Sequence, residues 1–248
     1  MSPVVLITGA SRGIGAACAL LAARAGYSVV VNYAANSLAA DEVVRQIRQS
    51  GGNAITAQAD VADEAQVLAM FEKIDAKFGQ LDALVNNAGV VDRRTRVDAI
   101  SSARLKRLFD INVIGSMVCA REAVKRMSTL YRGSGGSIVN LSSVAARLGG
   151  PDQYVDYAAT KGAIDTFTVG LAKEVAAEGI RVNAVRPGII DTDIHASGGL
   201  PDRAHDLAHE VPMLRPGTAE EVARSIIWLL GPESSYVTGT LLDVTGGR

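Results

Sequence analysis

Aromatic residues are scarce, at 4% of the chain, and cysteine occurs only twice, as Cys18 and Cys119. Two cysteines so far apart exclude a disulfide framework and a cysteine-based zinc site, and both read as buried free thiols of a reducing compartment. Neither sign of charge dominates: the formal net charge is −1, and no long basic or acidic block occurs. The electrostatic footprint needed for nucleic-acid or anionic-membrane binding is therefore missing. Long hydrophobic runs are missing as well. The apolar start at residues 4–7 is too short for a signal h-region and carries no basic n-region. The charge-free stretch at residues 133–146 is rich in Gly and Ser and shorter than the ~20 apolar residues of a membrane span. A soluble cytoplasmic protein is expected.

What remains is the composition of a globular protein with a large core: 48% hydrophobic, 21% charged, with 25 glycines for tight turns. Short apolar runs rich in β-branched residues recur at 4–8, 28–33, 53–58, 83–86, 137–141, 181–185 and 240–244. Their near-continuous apolar character is that of strands buried on both faces. Helical segments lie between them at 14–25, 38–50, 64–78, 102–127, 156–177 and 219–230. The alternation predicts an α/β fold: one doubly wound domain over residues 1–248, with about seven parallel strands and helices on both faces.

Residues 190–217 interrupt the pattern. They hold three of the seven prolines, Gly198, Gly199 and all three histidines, His195, His205 and His209. Placed beyond the carboxyl end of the sixth strand, this segment is a candidate substrate lid. His205 and His209 stand one turn apart, but without a His-Glu-x-x-His helix or a third ligand no metal site is expected.

Two constellations point to chemistry. The first strand runs into Thr8-Gly9-Ala10-Ser11-Arg12-Gly13-Ile14-Gly15 and then a helix. Glycines there let the backbone approach a dinucleotide pyrophosphate, which the helix N-terminus attracts. No Asp or Glu occurs between Arg24 and Asp41, where an NAD-specific protein places a carboxylate on the ribose 2′-hydroxyl. With Arg12 available to pair with a 2′-phosphate, NADP is expected over NAD. The second constellation is Tyr157 and Lys161, one above the other on a helical face. A cation about 4 Å away at an effective dielectric of ~20 contributes on the order of 4 kcal/mol, which should lower the phenol from its ordinary ~10 into a range useful for general acid–base work. Ser142 and Ser143 end the fifth strand, and a hydroxyl there can hold a carbonyl oxygen. No nucleophile elbow surrounds them, so a hydrolase triad is not expected.

The Gly-x-x-x-Gly-x-Gly spacing, Asp60-Val61, Asn86-Asn87-Ala88-Gly89, the Tyr-x-x-x-Lys pair, Pro187-Gly188 and Thr192 together resemble the short-chain dehydrogenase/reductase family along the whole chain. The resemblance implies carbonyl–alcohol redox with a catalytic tetrad of Asn112, Ser143, Tyr157 and Lys161, in which Asn112 helps hold a water linking Lys161 to solvent. It implies cofactor contacts from Gly9, Ser11, Arg12, Gly13, Ile14, Gly15, Asp60, Val61, Asn87, Ala88, Gly89, Tyr157, Lys161, Pro187, Gly188 and Thr192. A homotetramer is implied in the same way, since residues 243–248 match a family C-terminus that packs near subunit contacts.

Within the family the chain is similar both to 3-oxoacyl-carrier-protein reductases and to sugar or polyol dehydrogenases. Glu178 stands near a helix end where carrier-protein reductases often have Arg, leaving Arg126 and Arg132 as basic candidates for an acidic carrier. The substrate expected is therefore a small carbonyl or alcohol. A non-catalytic dinucleotide-binding regulator should lack one of Ser143, Tyr157 and Lys161, and none is missing.

Overall fold

The computed structural model describes residues 2–192, 198–200 and 202–248. Seven strands form one parallel sheet in the order β3-β2-β1-β4-β5-β6-β9: β1 (Val4–Ile7), β2 (Ser28–Tyr33), β3 (Ala54–Gln58), β4 (Ala83–Asn86), β5 (Gly136–Leu141), β6 (Ile180–Pro187) and β9 (Leu241–Val244). β1 is buried along its whole length. Its side chains alternate, so that Val5 and Ile7 join one apolar layer while Val4 and Leu6 join the other. That is the reason a parallel strand reads as an unbroken apolar run.

Helices α1 (Gly13–Arg24), α2 (Ser37–Gln49) and α9 (Ala219–Leu230) cover the first face, burying Cys18, Ile47 and Ile226. Helices α3 (Glu64–Phe78), α5 (Gly115–Met127) and α7 (Val155–Val175) cover the second, burying Phe71, Cys119 and Val175. Both thiols are unpaired and fully buried. Local chemistry fixes the ends. Asp63 caps α3 by accepting from Ala65 and Gln66 N–H, and Gly79 stops the helix at φ 69°. Among the described residues no helix is long and apolar enough to cross a membrane.

Two expectations need correction. The helix expected over 102–127 is three segments: α4 (Ser102–Phe109), a π-turn at Asp110–Ile114, and α5. Asn112, in the middle of the π-turn, is turned inward and 1% exposed. Its side chain grips Val90 at both ends, accepting from the N–H at 2.8 Å and donating to the carbonyl at 2.9 Å. The widened turn holds this inward asparagine, and Gly115 next to it lies against Val61, where a Cβ would stand 2.7 Å from the Val61 carbonyl oxygen.

Residues 190–217 are also less irregular than expected. β7 (Ile190–Asp191) pairs in parallel with β8 (Gly217–Thr218), and α8 (Arg203–Asp206) lies between them in sequence. Ile189, Ala204 and Val211 form a small apolar cluster of their own. Residues 193–197 and 201, His195 among them, lie outside the described residues. His205 and His209 take separate partners, Asp191 at 3.5 Å and the Asp206 carbonyl at 2.9 Å.

Candidate active site

The strand order reverses at β1, which has β2 on one side and β4 on the other. A crevice opens at such a switch point, beyond the carboxyl ends of the strands. The glycine turn crosses it. Gly9 and Gly13 have φ of 60° and 55°, the left-handed region that an L side chain rarely enters, and a Cβ on Gly15 would lie 2.5 Å from the Gly9 carbonyl oxygen. Asn87, after β4, donates to the Thr8 and Gly9 carbonyls at 2.9 and 3.0 Å, while Thr8 Oγ1 accepts from the N–H groups of Asn87 and Ala88. Asn32, at the end of β2, accepts from the Gly9 N–H at 3.0 Å. The turn is thus braced from both neighbouring strands. Arg12 occupies the N-cap of α1 without capping it by side chain, so first-turn N–H groups face outward as an anion site requires. These features fit a dinucleotide: a bare-backbone cradle at a helix N-terminus with no side chain filling it.

Asp60 follows β3, its carboxylate accepting from the Ala62 N–H at 3.0 Å, and Val61 beside it is buried. Both lie away from the cavity described next. That cavity, of about 470 Å³, is lined by Ile14, Asn87, Gly89, Pro187, Gly188 and Thr192. Ser143, Tyr157 and Lys161 line it as well. Thr192 also faces the turn, with its Cβ 3.7 Å from where a Gly13 Cβ would stand. Sequence residues from five strand ends and α7 therefore meet in one place.

The two serines differ. Ser142 is buried, and its hydroxyl donates to the Lys161 carbonyl at 3.2 Å, which ties β5 to α7. Ser143 Oγ accepts from the Ala145 N–H at 3.1 Å and hydrogen-bonds with Tyr157. The Ala145 bond leaves the Ser143 hydroxyl proton free to point toward the phenol and the cavity.

Lys161 corrects a third expectation. Its ammonium donates to the Leu141 carbonyl at 2.6 Å and stands 5.6 Å from the centre of the Tyr157 ring. Burial dominates both groups. It pushes the phenol up to about 12, against a smaller lowering by Ser143, and it pulls the lysine down to about 8, against a raising by Asp165. The expected net lowering of the phenol is therefore not found in this arrangement, because burial outweighs the influences that lower it. At neutral pH Tyr157 is a protonated acid.

Asn112 does not line the cavity. It sits behind Lys161, donating to Thr160 Oγ1 at 3.2 Å, and a Cβ on Gly89 would lie 3.4 Å from its Oδ1 and 3.6 Å from Lys161 Nζ. Gly89 keeps that space open between the two.

Sequence inspection missed the charged groups around the site. Asp156, next to Tyr157, is buried in a two-point pair with Arg104 (2.6 and 3.2 Å), which fixes the start of α7 against α4. Asp165 pairs with Arg186 on β6 at 2.7 Å. Its position, one helical turn beyond Lys161 on the same face, was the available signal. Arg203 and Arg248 also line the cavity, and nothing local in the sequence marks them.

A family profile described as enoyl-(acyl carrier protein) reductase matches residues 9–248. A solved double mutant of a Serratia marcescens short-chain dehydrogenase/reductase superposes with a TM-score of 0.91 at 33% identity, over 99% of this chain and 97% of that one. This chain belongs to the short-chain dehydrogenase/reductase family. Like other members it is an NAD(P)-dependent oxidoreductase. Among short-chain dehydrogenase/reductase relatives, an Escherichia coli K12 protein described as the uncharacterized oxidoreductase YgfF is 56% identical over 99% of both chains. A 3-oxoacyl-[acyl-carrier-protein] reductase of Synechocystis is 40% identical over 98% of this chain and 96% of its own.

Proposed function

We propose that the protein interconverts a carbonyl and a secondary alcohol on a small substrate, with NADP(H) as the preferred cofactor and Tyr157 as the general acid and base. The observation that carries this reading is the meeting of Ser143, Tyr157 and Lys161 with Ile14, Asn87 and Thr192 around one cavity. The residues around the glycine turn would hold the dinucleotide, which when bound supplies the hydride accepted by the carbonyl carbon. The chain's own groups handle the oxygen and its proton. Ser143 donates a hydrogen bond to the carbonyl oxygen, and Tyr157 Oη gives that oxygen its proton. Lys161 then faces the phenolate and returns a proton to it, through water held near Asn112 and Gly89. Oxidation of the alcohol runs each step backward. With its phenol up at about 12, Tyr157 is stocked for the reducing direction near neutral pH.

Support for NADP comes from the end of β2. The first turn of α2 has no acidic residue, and Arg12 stands exposed at the N-cap of α1. A carboxylate that would repel a 2′-phosphate is missing between Arg24 and Asp41.

Reduction of a 3-oxoacyl group on a carrier protein is the second reading, favoured by the 40% identical relative of that name. Its docking surface finds little support. Arg126 is occupied by Asp75 at 2.6 Å and Glu122 at 3.1 Å, and Glu178, which accepts from Ser128, adds negative charge beside Arg132's loop. A homotetramer working in the cytoplasm completes the proposal, in keeping with two buried, unpaired thiols.

The test is a carbonyl and alcohol panel run with NADPH/NADP and with NADH/NAD. NADPH should be preferred by about tenfold, the worth of one charge-assisted contact. Tyr157→Phe should abolish turnover and leave NADPH binding intact. Turnover that survives this change rejects the mechanism, and equal rates with NADH reject the cofactor assignment.

A further inference from the structure

The cavity carries an unusual charge balance. Three cations line the cavity, Lys161, Arg203 and Arg248, and among the described residues no Asp or Glu lines it. Lys161 has a place in the proton chemistry. Arg203 has none.

Arg203 opens α8 and is partly buried in the cavity wall. Its Nη2 donates to Gln153 Oε1 at 2.9 Å, and its guanidinium lies 5.3 Å from the centre of the Tyr154 ring. Gln153 and Tyr154 belong to the loop that links Ser143 to Tyr157, so both supports hold the fork on the substrate side. Among the described residues Arg203 forms no ion pair. Burial works most strongly against its charge; Tyr154 works for it, Arg248 and Arg94 nearby work against it, and Glu210 works least, in its favour. Glu210 is already claimed by Arg248 at 2.7 Å.

A guanidinium that is partly desolvated and held by a neutral amide and an aromatic face has, among the described residues, no counter-ion of its own. Its planar fork matches a carboxylate. Apolar Val144, Leu148 and Pro151 line the same cavity.

We infer that Arg203 binds a carboxylate on the substrate, so that the reacting group is a ketone or secondary alcohol on a compact apolar body bearing an acid. This deepens the oxidoreductase reading and rests on it for the identity of the reacting group. It makes Arg203 a specificity-determining residue that touches substrate without taking part in proton transfer.

Calorimetric titration of the full-length protein saturated with NADP, using cyclohexanecarboxylate and the neutral cyclohexanecarboxamide, tests the inference without turnover. The acid should bind at least about tenfold tighter than the amide. Arg203→Met and Arg203→Gln should each remove the difference, Arg203→Lys should keep part of it, and Tyr157→Phe should keep all of it. Equal affinity for acid and amide overturns the inference. So does an acid that fails to bind up to about 10 mM, since an Arg–carboxylate pair in an apolar cavity should exceed that affinity. Inorganic phosphate that displaces the acid at equal concentration assigns the site to phosphate and overturns it too. Turnover on the carbonyl panel is scored separately. Acid binding without turnover rejects the redox mechanism alone, and turnover with no preference for acids over their methyl esters rejects the carboxylate site alone.

Discussion

Tyr157, Lys161 and Asp165 form a ladder on one face of α7, spaced one helical turn apart. Asp165 acts on Lys161, while Ser143, from outside the ladder, acts on Tyr157. Ser143 lowers the phenol slightly, Asp165 raises the lysine, and burial outweighs both. Lys161 is therefore the group that titrates nearest working pH. Because its folded value is depressed to about 8, it is charged below that pH and neutral above it. Reduction should decline as pH rises through about 8, when the cation that returns the proton is lost. Asp165→Asn removes a raising influence, so the break in a kcat profile should move to lower pH, while the KM for NADPH stays put. A profile that keeps its break in this variant removes Asp165 from the site. The upper two rungs were legible in the sequence, because a Tyr-x-x-x-Lys helix next to a glycine turn is a specific pattern. The third was readable as spacing alone, but its partner Arg186 lies on β6, and no helical period reports a strand residue across the sheet.

At the scale of elements, the strands and most helices were readable because burial on both faces leaves little room for polar residues. The π-turn was not. Its cause lies in contacts from Asn112 to Val90 and Thr160, far away in sequence, and a single asparagine in a helical stretch has several local explanations. Its side chain satisfies both backbone groups of Val90 from a fully enclosed position. Asn112→Ala should leave those groups and Thr160 short of partners and cost about 2–4 kcal/mol of stability, since each buried unpaired group costs roughly 1–3 kcal/mol. Urea denaturation measures this directly. A loss under about 0.5 kcal/mol, the range of ordinary surface changes, would show that the clamp contributes little.

At the scale of the whole molecule, several large apolar side chains stand uncovered. Trp228 on α9 is 43% exposed, and Tyr236, shortly before β9, is fully exposed. Trp228 is the candidate we take for a contact in the proposed tetramer. Sedimentation should give the mass of four chains, each of 25.8 kDa, and Trp228→Glu should reduce it to two. A single-chain mass for the unaltered protein rejects the tetramer. A subunit contact of this kind would be hidden from sequence periodicity, because an outward apolar residue on an amphipathic helix reads as scatter.

The placement of β1 in the middle of the sheet also sets an order in time. As the chain leaves the ribosome, β2 and β3 add outward from β1 on one side; β4, β5, β6 and β9 then add in turn on the other. No strand has to be inserted between two that are already paired, so each newly made segment meets a waiting edge. Refolding from denaturant offers every segment at once, and edges left open then are templates for the neighbouring chain. Vectorial synthesis should thus yield native protein at concentrations where refolding of the finished chain is lost to aggregation.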